Sequence, residues 1–160
     1  HMVFSTLHTN DSAGAYTRMT DMGVEPFLVA STVEAVMSQR LVRRLCNECK
    51  APVKLKAKDL PPDFPTDLIG GQDLFEAVGC RECRNVGYSG RMGVYELMLT
   101  TDAIRELATE RASSWQLKKS AVEGGMTTLR DDAWRKVLSG TTSVDEVLRI
   151  TKGDQVVGKA

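Results

Sequence analysis

The stretches Cys46-Asn47-Glu48-Cys49 and Cys80-Arg81-Glu82-Cys83 contain all four cysteines of this 160-residue sequence. A C-x-x-C turn lets two thiolates converge on one ion, and a second such turn completes the tetrahedral set that structural zinc prefers. Such a closed set leaves no position for water or substrate, so the metal would not be catalytic. The spacing therefore predicts one structural zinc site made by Cys46, Cys49, Cys80 and Cys83.

Cysteine pairs are open to two other chemistries. A redox-active thiol needs a lowered pKa, usually at the start of a helix that follows a strand. Here the first pair follows an expected helix end and the second follows Gly79. Disulfides are disfavoured because nothing in the sequence suggests export. A dithiol oxidoreductase remains a hypothesis to be tested, behind the zinc site.

The residues between the two cysteine pairs differ in composition from the rest of the chain. Prolines at 52, 61, 62 and 65 break helical patterns, and Gly70-Gly71 marks a turn. We expect an irregular insert whose ends the zinc site holds together. Together with its cysteines it makes a tetracysteine zinc subdomain over residues 46–91.

The residues before the first cysteine alternate between strand and helix signals. His1-Met2 is interpreted as a cloning scar, and residues 3–9 are predicted to form a strand. Asn10 or Asp11 can cap a helix that reaches Met22, with Gly23 as its stop. A second helix is predicted from Pro26 to the first cysteine. Its apolar stripe is Leu28, Val29, Val33, Val36, Met37, Leu41 and Leu45.

The last third of the sequence is predicted to be one strand followed by short helices. The strand is Met92 to Leu99, apolar on both faces. Four helices follow, starting near Thr101, Ser113, Thr128 and Ser143, and two of these starts have capping-box spacing. Residues 92–152 form this strand and a terminal helical subdomain, and 153–160 form a tail. The fold class is mixed α/β and helix-rich.

Composition excludes several functional classes. Lys plus Arg and Asp plus Glu both total 21, so the basic surface that grips nucleic-acid phosphates is not indicated. The apolar runs are far shorter than the roughly 20 residues that cross a bilayer. No G-x-x-x-x-G-K-[ST] loop occurs, and outside the presumed scar His8 is the one histidine. The sequence itself therefore offers no nucleotide cradle and no partnered nucleophile.

Several segments of the sequence form one ordered pattern together with the four cysteines. They are Ser5 to Asp11, Thr17-Arg18, Met22 to Phe27, Gln39 to Cys46, Gly87 to Arg91, Tyr95 to Leu97 and Arg130 to Asp132. In this order, along nearly the whole chain and ending near Lys152, they resemble the ATPases of type II secretion and type IV pilus assembly. The segment from Met22 to Leu28 is slightly more similar to the secretion branch.

This resemblance implies a carboxy-terminal fragment of a RecA-like ATPase domain, in which residues 3–45 are a remnant of the motor core. His8 matches the histidine box, which is thought to sense or position the γ-phosphate. Arg18 and Arg40 lie in matching segments and are expected near nucleotide or a neighbouring subunit. Walker A and Walker B are missing, so the fragment alone is expected neither to hydrolyse nor to bind ATP.

The resemblance also implies the setting of the parent protein. It would be a homo-hexamer that uses ATP and Mg, lies in the cytoplasm, and is peripheral to the inner membrane through platform proteins of the secretion or pilus machine. The alternative is a zinc-ribbon module that contacts protein or nucleic acid. Zero net charge and the lack of aromatic residues in the cysteine turns disfavour nucleic acid.

Overall fold

The structure of the protein, a computed structural model, describes residues 1–151; the expected tail at 153–160 lies outside the described residues. The α-helices and β-strands, in chain order, are α1 (Ser12–Asp21), α2 (Pro26–Thr32), β1 (Ala35–Leu45), β2 (Ala51–Val53), β3 (Leu74–Glu76), β4 (Tyr88–Leu99), α3 (Asp102–Thr109), α4 (Ser114–Glu123), α5 (Leu129–Leu138) and α6 (Val144–Ile150). Two short 3-10 helices, Ala57–Asp59 and Thr66–Leu68, lie between β2 and β3. Strand β1 pairs with β4, and β2 pairs with β3. The expected mixed α/β class is confirmed. Among these residues no helix has the length and apolar character to cross a membrane.

The contacts of the chain group its residues into two compact units. Among the described residues, the first contains residues 1–39 and 95–128, and the second contains residues 40–94 and 129–151. Helices α3 and α4 thus belong to the first unit, whereas α5 and α6 belong to the second. The four-part division expected from the sequence groups the residues differently, and it stays a prediction about domain organisation in the parent protein.

Local signals explain the helices of the first unit. The Asp11 side chain accepts a hydrogen bond from the Gly14 amide and caps α1, as predicted. Gly23 ends this segment with a positive φ of 91°, which glycine tolerates best. Ser113 and Gln116 form the predicted capping box of α4. The buried core of this unit consists of Ala13, Tyr16, Val29, Ala30, Met98, Ile104, Ala108 and Leu117.

Two sequence predictions before the first cysteine are wrong. Residues 3–9 form no strand; among the described residues no second strand pairs with them, and a strand needs such a partner. The predicted second helix ends at Thr32, and residues 35–45 form β1 instead. The β-branched pair Thr32-Val33 disfavours continuation of the helix, and Val33 is already extended with ψ 119°.

The second unit packs the insert against its carboxy-terminal helices. Strands β2 and β3 are antiparallel, with Pro52 opposite Phe75. The insert is mainly irregular, as predicted, but it supplies more apolar packing than its sequence pattern indicated. The rings of Phe64 and Trp134 meet edge to face with centroids 5.1 Å apart. The buried core comprises Val42, Leu60, Phe64, Leu74, Val94, Leu129, Ala133, Trp134, Val137, Val144 and Val147.

A polar clamp ties the insert to α5. The Asp63 carboxylate accepts hydrogen bonds from Arg130 Nη2 at 2.9 Å and from Trp134 Nε1 at 2.8 Å. Burial raises the pKa of Asp63, but the hydrogen bonds from Arg130 and Trp134 outweigh this and lower it. Arg130 also donates to the Thr151 hydroxyl at 2.9 Å. The insert is therefore anchored by a charged contact as well as by the cysteines at its ends.

Strand β4 does not have the two buried faces expected from its apolar sequence. Val94, Glu96 and Met98 are buried, whereas Tyr95, Leu97 and Leu99 are about half exposed. This alternation is the period of two expected for a strand with one covered face. It also places a carboxylate, Glu96, on the covered face.

Candidate functional site

The four cysteine sulfurs lie together in the second unit. All four are within 4.8 Å of one another. Separate distances are 4.0 Å for Cys46 to Cys80, 3.8 Å for Cys49 to Cys83 and 3.8 Å for Cys80 to Cys83. A tetrahedron with bonds of about 2.3 Å has edges of about 3.8 Å. The sulfur positions therefore fit the tetrahedral thiolate set of a zinc ion.

Backbone amides from the segment around the second C-x-x-C turn point at two of these sulfurs. The amides of Cys80 and Gly87 each donate to Cys83 Sγ at 3.2 Å, and the Gly79 amide donates to Cys49 Sγ at 3.3 Å. After Cys83 the chain turns sharply through Arg84 and Asn85, which both have positive φ values, 54° and 62°. Amide hydrogen bonds stabilise the thiolate form, which is the form that binds metal.

Two glycines permit this close approach of backbone and sulfur. A Cβ on Gly79, which has φ 112°, would lie 2.9 Å from the carbonyl oxygen of Asn85. A Cβ on Gly87, which has φ 80°, would lie 2.6 Å from the Cβ of Ala77. Neither position accepts another residue without backbone movement. Sequence reasoning noted the cysteine spacing but not this requirement.

The pKa values of two thiols in the cluster are shifted in opposite directions. Burial raises the pKa of Cys83, but the amides of Cys80 and Gly87 lower it to about 6. Burial raises the pKa of Cys49 to about 12, and the neighbouring sulfurs add to this rise. Four thiolates this close repel one another, and a divalent cation would relieve that repulsion. One joint cluster of four sulfurs also favours a metal site over two separate redox pairs.

A buried carboxylate that sequence reasoning missed lies on α6 in the same unit. Glu146 accepts hydrogen bonds from the Arg43 amide at 2.9 Å, from the Arg43 guanidinium at 2.9 and 2.6 Å, and from Arg149 at 2.8 and 2.7 Å. Its side chain is fully buried. Burial raises the pKa of Glu146, but Arg149 and Arg43 outweigh this and lower it to about 2. Of the capping box predicted here, only the serine half is present: the Ser143 side chain accepts from the Glu146 amide at 3.2 Å, whereas the Glu146 carboxylate binds Arg43 and Arg149.

His8 belongs to the first unit and is exposed. It lies in the segment without regular structure that precedes α1, and not at a strand end as the sequence analysis expected. Thr9, its neighbour, donates its hydroxyl to the carbonyl oxygen of Asp11 at 3.0 Å. The imidazole is therefore presented on the surface, one residue before a hydrogen-bonded turn into the helix.

The two arginines expected near nucleotide have different environments. Arg18 is exposed on α1, in the same unit as His8. Arg40 is half-buried on β1, in the other unit, and its guanidinium donates to the carbonyl oxygen of Ile150. Arg40 thus has a structural contact within its own unit, whereas the Arg18 side chain faces solvent.

Comparison with known proteins identifies the family. A family model described as type II/IV secretion system protein matches residues 1–149. The chain belongs to this family. The type II/IV secretion system resemblance stated from the motifs is thereby confirmed.

Curated relatives of this type II/IV secretion system chain come from both branches. The chain is 42% identical over 157 residues to the type IV pilus assembly ATPase PilB of Myxococcus xanthus, covering 97% of this chain and 28% of that protein. It is 44% identical over 152 residues to the type II secretion system protein E of Pseudomonas aeruginosa, covering 95% of this chain and 30% of that protein. The chain thus spans less than a third of the length of these relatives.

Proposed function

We propose that this chain is the carboxy-terminal part of a hexameric ATPase that powers type II protein secretion or type IV pilus assembly. The observation that carries this proposal is the family match over residues 1–149, together with relatives at 42% identity or above that are named as ATPases of these systems. The parent protein lies in the cytoplasm and attaches to the inner membrane through platform proteins. Its motor is RecA-like and uses ATP with Mg.

In this proposal His8 is the histidine of the histidine box. Its exposed imidazole can donate a hydrogen bond to a phosphate oxygen, and its ring can be oriented by one. Arg18 is exposed on the helix that follows and is assigned to the nucleotide or to a neighbouring subunit. Arg40, in the second unit, is likewise assigned to nucleotide or to a neighbouring subunit, and its guanidinium donates to the carbonyl oxygen of Ile150.

The chain alone is proposed to be inactive towards ATP. Its sequence has no G-x-x-x-x-G-K-[ST] loop, so it offers no backbone nest for the β- and γ-phosphates. Calorimetric titration of the chain with Mg-ATP should therefore give no binding heat. Saturable binding in the micromolar range would show that the nucleotide site lies within these residues.

The four cysteines are proposed to hold one zinc ion per chain in a structural role. The support is the sulfur cluster with edges near 3.8 Å and a donor set made of thiolates alone. When bound, the ion supplies a crosslink between the two ends of the insert. Elemental analysis of protein purified in metal-free buffer should give a zinc stoichiometry of one. A value near zero with four free thiols would contradict the proposal.

ATP hydrolysis by the full-length protein tests the function directly. The purified full-length protein should release phosphate from Mg-ATP, whereas this chain at equal concentration should release none. The Arg18→Ala variant of the full-length protein should lose activity, while Asp21→Ala, an exposed change on the same helix, should retain it. A full-length protein that carries zinc but hydrolyses no ATP would refute the proposal.

A further inference from the structure

A cluster of buried charges lies at the start of α1 in the first unit. Lys118 Nζ on α4 is 3.0 Å from Asp11 Oδ2 and 4.0 Å from Glu96 Oε2. The Glu96 Oε1 atom accepts hydrogen bonds from the Ser12 amide at 3.0 Å and from the Ser12 hydroxyl at 2.5 Å. We call Asp11, Ser12, Glu96 and Lys118 the Lys118 cluster. It joins three elements, α1, β4 and α4.

The Lys118 cluster is too deeply buried to be a surface ion pair. The side chain of Glu96 is 0% exposed and that of Lys118 is 6% exposed. Two carboxylates and one ammonium leave one excess negative charge. The amides of Ser12 and Gly14, at the positive end of the α1 dipole, donate to these carboxylates and offset it. Removing the ammonium would leave the buried Glu96 carboxylate and the partly buried Asp11 carboxylate close to each other without Lys118, which is strongly unfavourable.

Asp11 connects this cluster to the segment that carries His8. One of its side-chain oxygens caps α1 through the Gly14 amide, and the other binds Lys118. Its carbonyl oxygen accepts the Thr9 hydroxyl. Residues 3–9 have no regular structure, and the hydrogen-bonded turn from Thr9 to Asp11 helps to set the direction in which this segment enters α1. His8 is the residue directly before that turn.

We propose that Lys118 is a positioning residue for His8, acting through the Asp11 carboxylate. The ion pair holds the Asp11 side chain on the Gly14 amide, and this cap holds the Asp11 backbone, whose carbonyl oxygen closes the turn with Thr9. In this way the cluster fixes the direction in which His8 approaches a phosphate. This inference rests on the proposed function, since it assigns Lys118 to the ATP turnover of the full-length protein. Positioning of this kind acts on the chemical step more than on the affinity for nucleotide.

Two substitutions in the full-length protein test the inference. Asp11→Asn keeps an oxygen for the Gly14 amide but removes the charge that binds Lys118, and it leaves the cluster neutral and able to fold. Lys118→Met removes the ammonium. Each variant should lower kcat about tenfold and leave the KM for ATP within about twofold. The matched controls are Asp21→Asn and Lys119→Met, which change exposed charges on the same two helices and should retain wild-type kcat.

A double-mutant cycle with His8→Ala separates positioning from general destabilisation. If Asp11 acts through His8, then Asp11→Asn should lower kcat no further in the His8→Ala background. An equal loss of kcat in both backgrounds, or a wild-type kcat for Asp11→Asn, would overturn the inference. If His8→Ala itself leaves kcat unchanged, the role proposed for His8 fails instead. Melting temperatures of Asp11→Asn and His8→Ala within a few degrees of wild type show that their kcat values come from folded protein. Lys118→Met is expected to melt lower because it leaves the carboxylates without the ammonium, so Asp11→Asn decides the test.

Discussion

Replacing Glu146 by Gln is the perturbation whose effect follows most directly from the structure. The carboxylate accepts two hydrogen bonds from the Arg149 guanidinium and three from Arg43, and it is fully buried. Glutamine keeps one oxygen and replaces the other by an amide NH2, which is itself a donor. That group would face guanidinium donors, so at least one buried contact becomes repulsive. We expect Glu146→Gln to destabilise the second unit.

The magnitude follows from the pKa of this carboxyl. Its ordinary value of 4.5 falls to about 2 in the folded chain. That difference corresponds to roughly 3 kcal/mol of stabilisation of the charged form. Removing one partner of a buried ion pair typically costs about 3 to 5 kcal/mol, which agrees with this figure. Since Arg149 is more than half exposed, we take the lower end, about 3 kcal/mol.

The effect depends on pH in a defined direction. The folded pKa of Glu146 lies below the unfolded one, so its contribution is complete above about pH 5 and is lost as the pH falls towards 2. The free energy of unfolding of Glu146→Gln should be about 3 kcal/mol lower than that of the wild type at pH 7. By the same linkage this difference in the free energy of unfolding should fall to about half of that value or less at pH 3.

Urea unfolding followed by tryptophan fluorescence measures this gap. Trp134 is buried in the second unit, and Trp115 is the other tryptophan, so a Trp115→Phe background makes the emission specific to Trp134. Glu123→Gln, which changes an exposed carboxylate on α4, is the control and should shift the free energy of unfolding by less than about 0.5 kcal/mol. A gap below about 1 kcal/mol at pH 7, or one that stays constant down to pH 3, would refute the reasoning.

Two further predictions concern the cysteine site. Cys80→Ser should increase amide hydrogen exchange across residues 46–91, while α3 and α4, in the first unit, keep their protection from exchange. An equal loss of protection in both units would mean that they unfold as one cooperative structure. Gly87→Ala should lower zinc affinity and destabilise the chain by about 2 kcal/mol or more, because its Cβ meets Ala77. The control is Gly71→Ala, because Gly71 has a similar φ of 82° but no atom within 4 Å of the added Cβ. This variant measures the cost of the backbone conformation alone. Equal destabilisation by the two variants would contradict the steric argument.

The helices were predictable where a local signal marks their ends. Asp11 caps α1, Pro26 begins α2, and Ser113 and Gln116 form a capping box at the start of α4. Each of these residues lies at or next to the start of its helix. Such signals act through neighbouring backbone groups and do not depend on the rest of the chain. The starts of α4 and α6, which Ser113 and Ser143 cap, were predicted for this reason, whereas Thr101 makes no side-chain cap at α3.

The stretch from Leu28 to Leu45 shows where periodicity is ambiguous. Its apolar residues fit a helical stripe, yet Val36, Ser38 and Arg40 are half-buried while the residues between them are exposed. That alternation is the signature of a strand. Ser38 and Arg40 are polar although they lie on the half-buried face, so the apolar residues alone do not show the alternation. The contacts that such polar residues make in the fold cannot be predicted from the sequence. Arg40, for example, binds the carbonyl oxygen of Ile150.

The candidate site divides in the same way. The cysteine cluster was predictable because each C-x-x-C turn is local and four ligands exhaust the cysteines. The contacts of the buried charged residues could not be predicted, because the two residues of each pair are 84, 103 or 107 positions apart in the sequence. One signal was available for Glu96: it lies between Val94 and Met98 on the covered face of β4. A carboxylate at a core position of a strand indicates a buried partner.

Turnover of the full-length protein with His8→Ala tests the central claim most directly. The imidazole is exposed next to the α1 cap, and its proposed contact with phosphate forms mainly in the transition state. The variant should therefore lose at least about tenfold in kcat, keep its KM for ATP within about twofold, and retain one zinc per chain. A kcat within about twofold of wild type, which is below roughly 0.5 kcal/mol of barrier, would contradict the account.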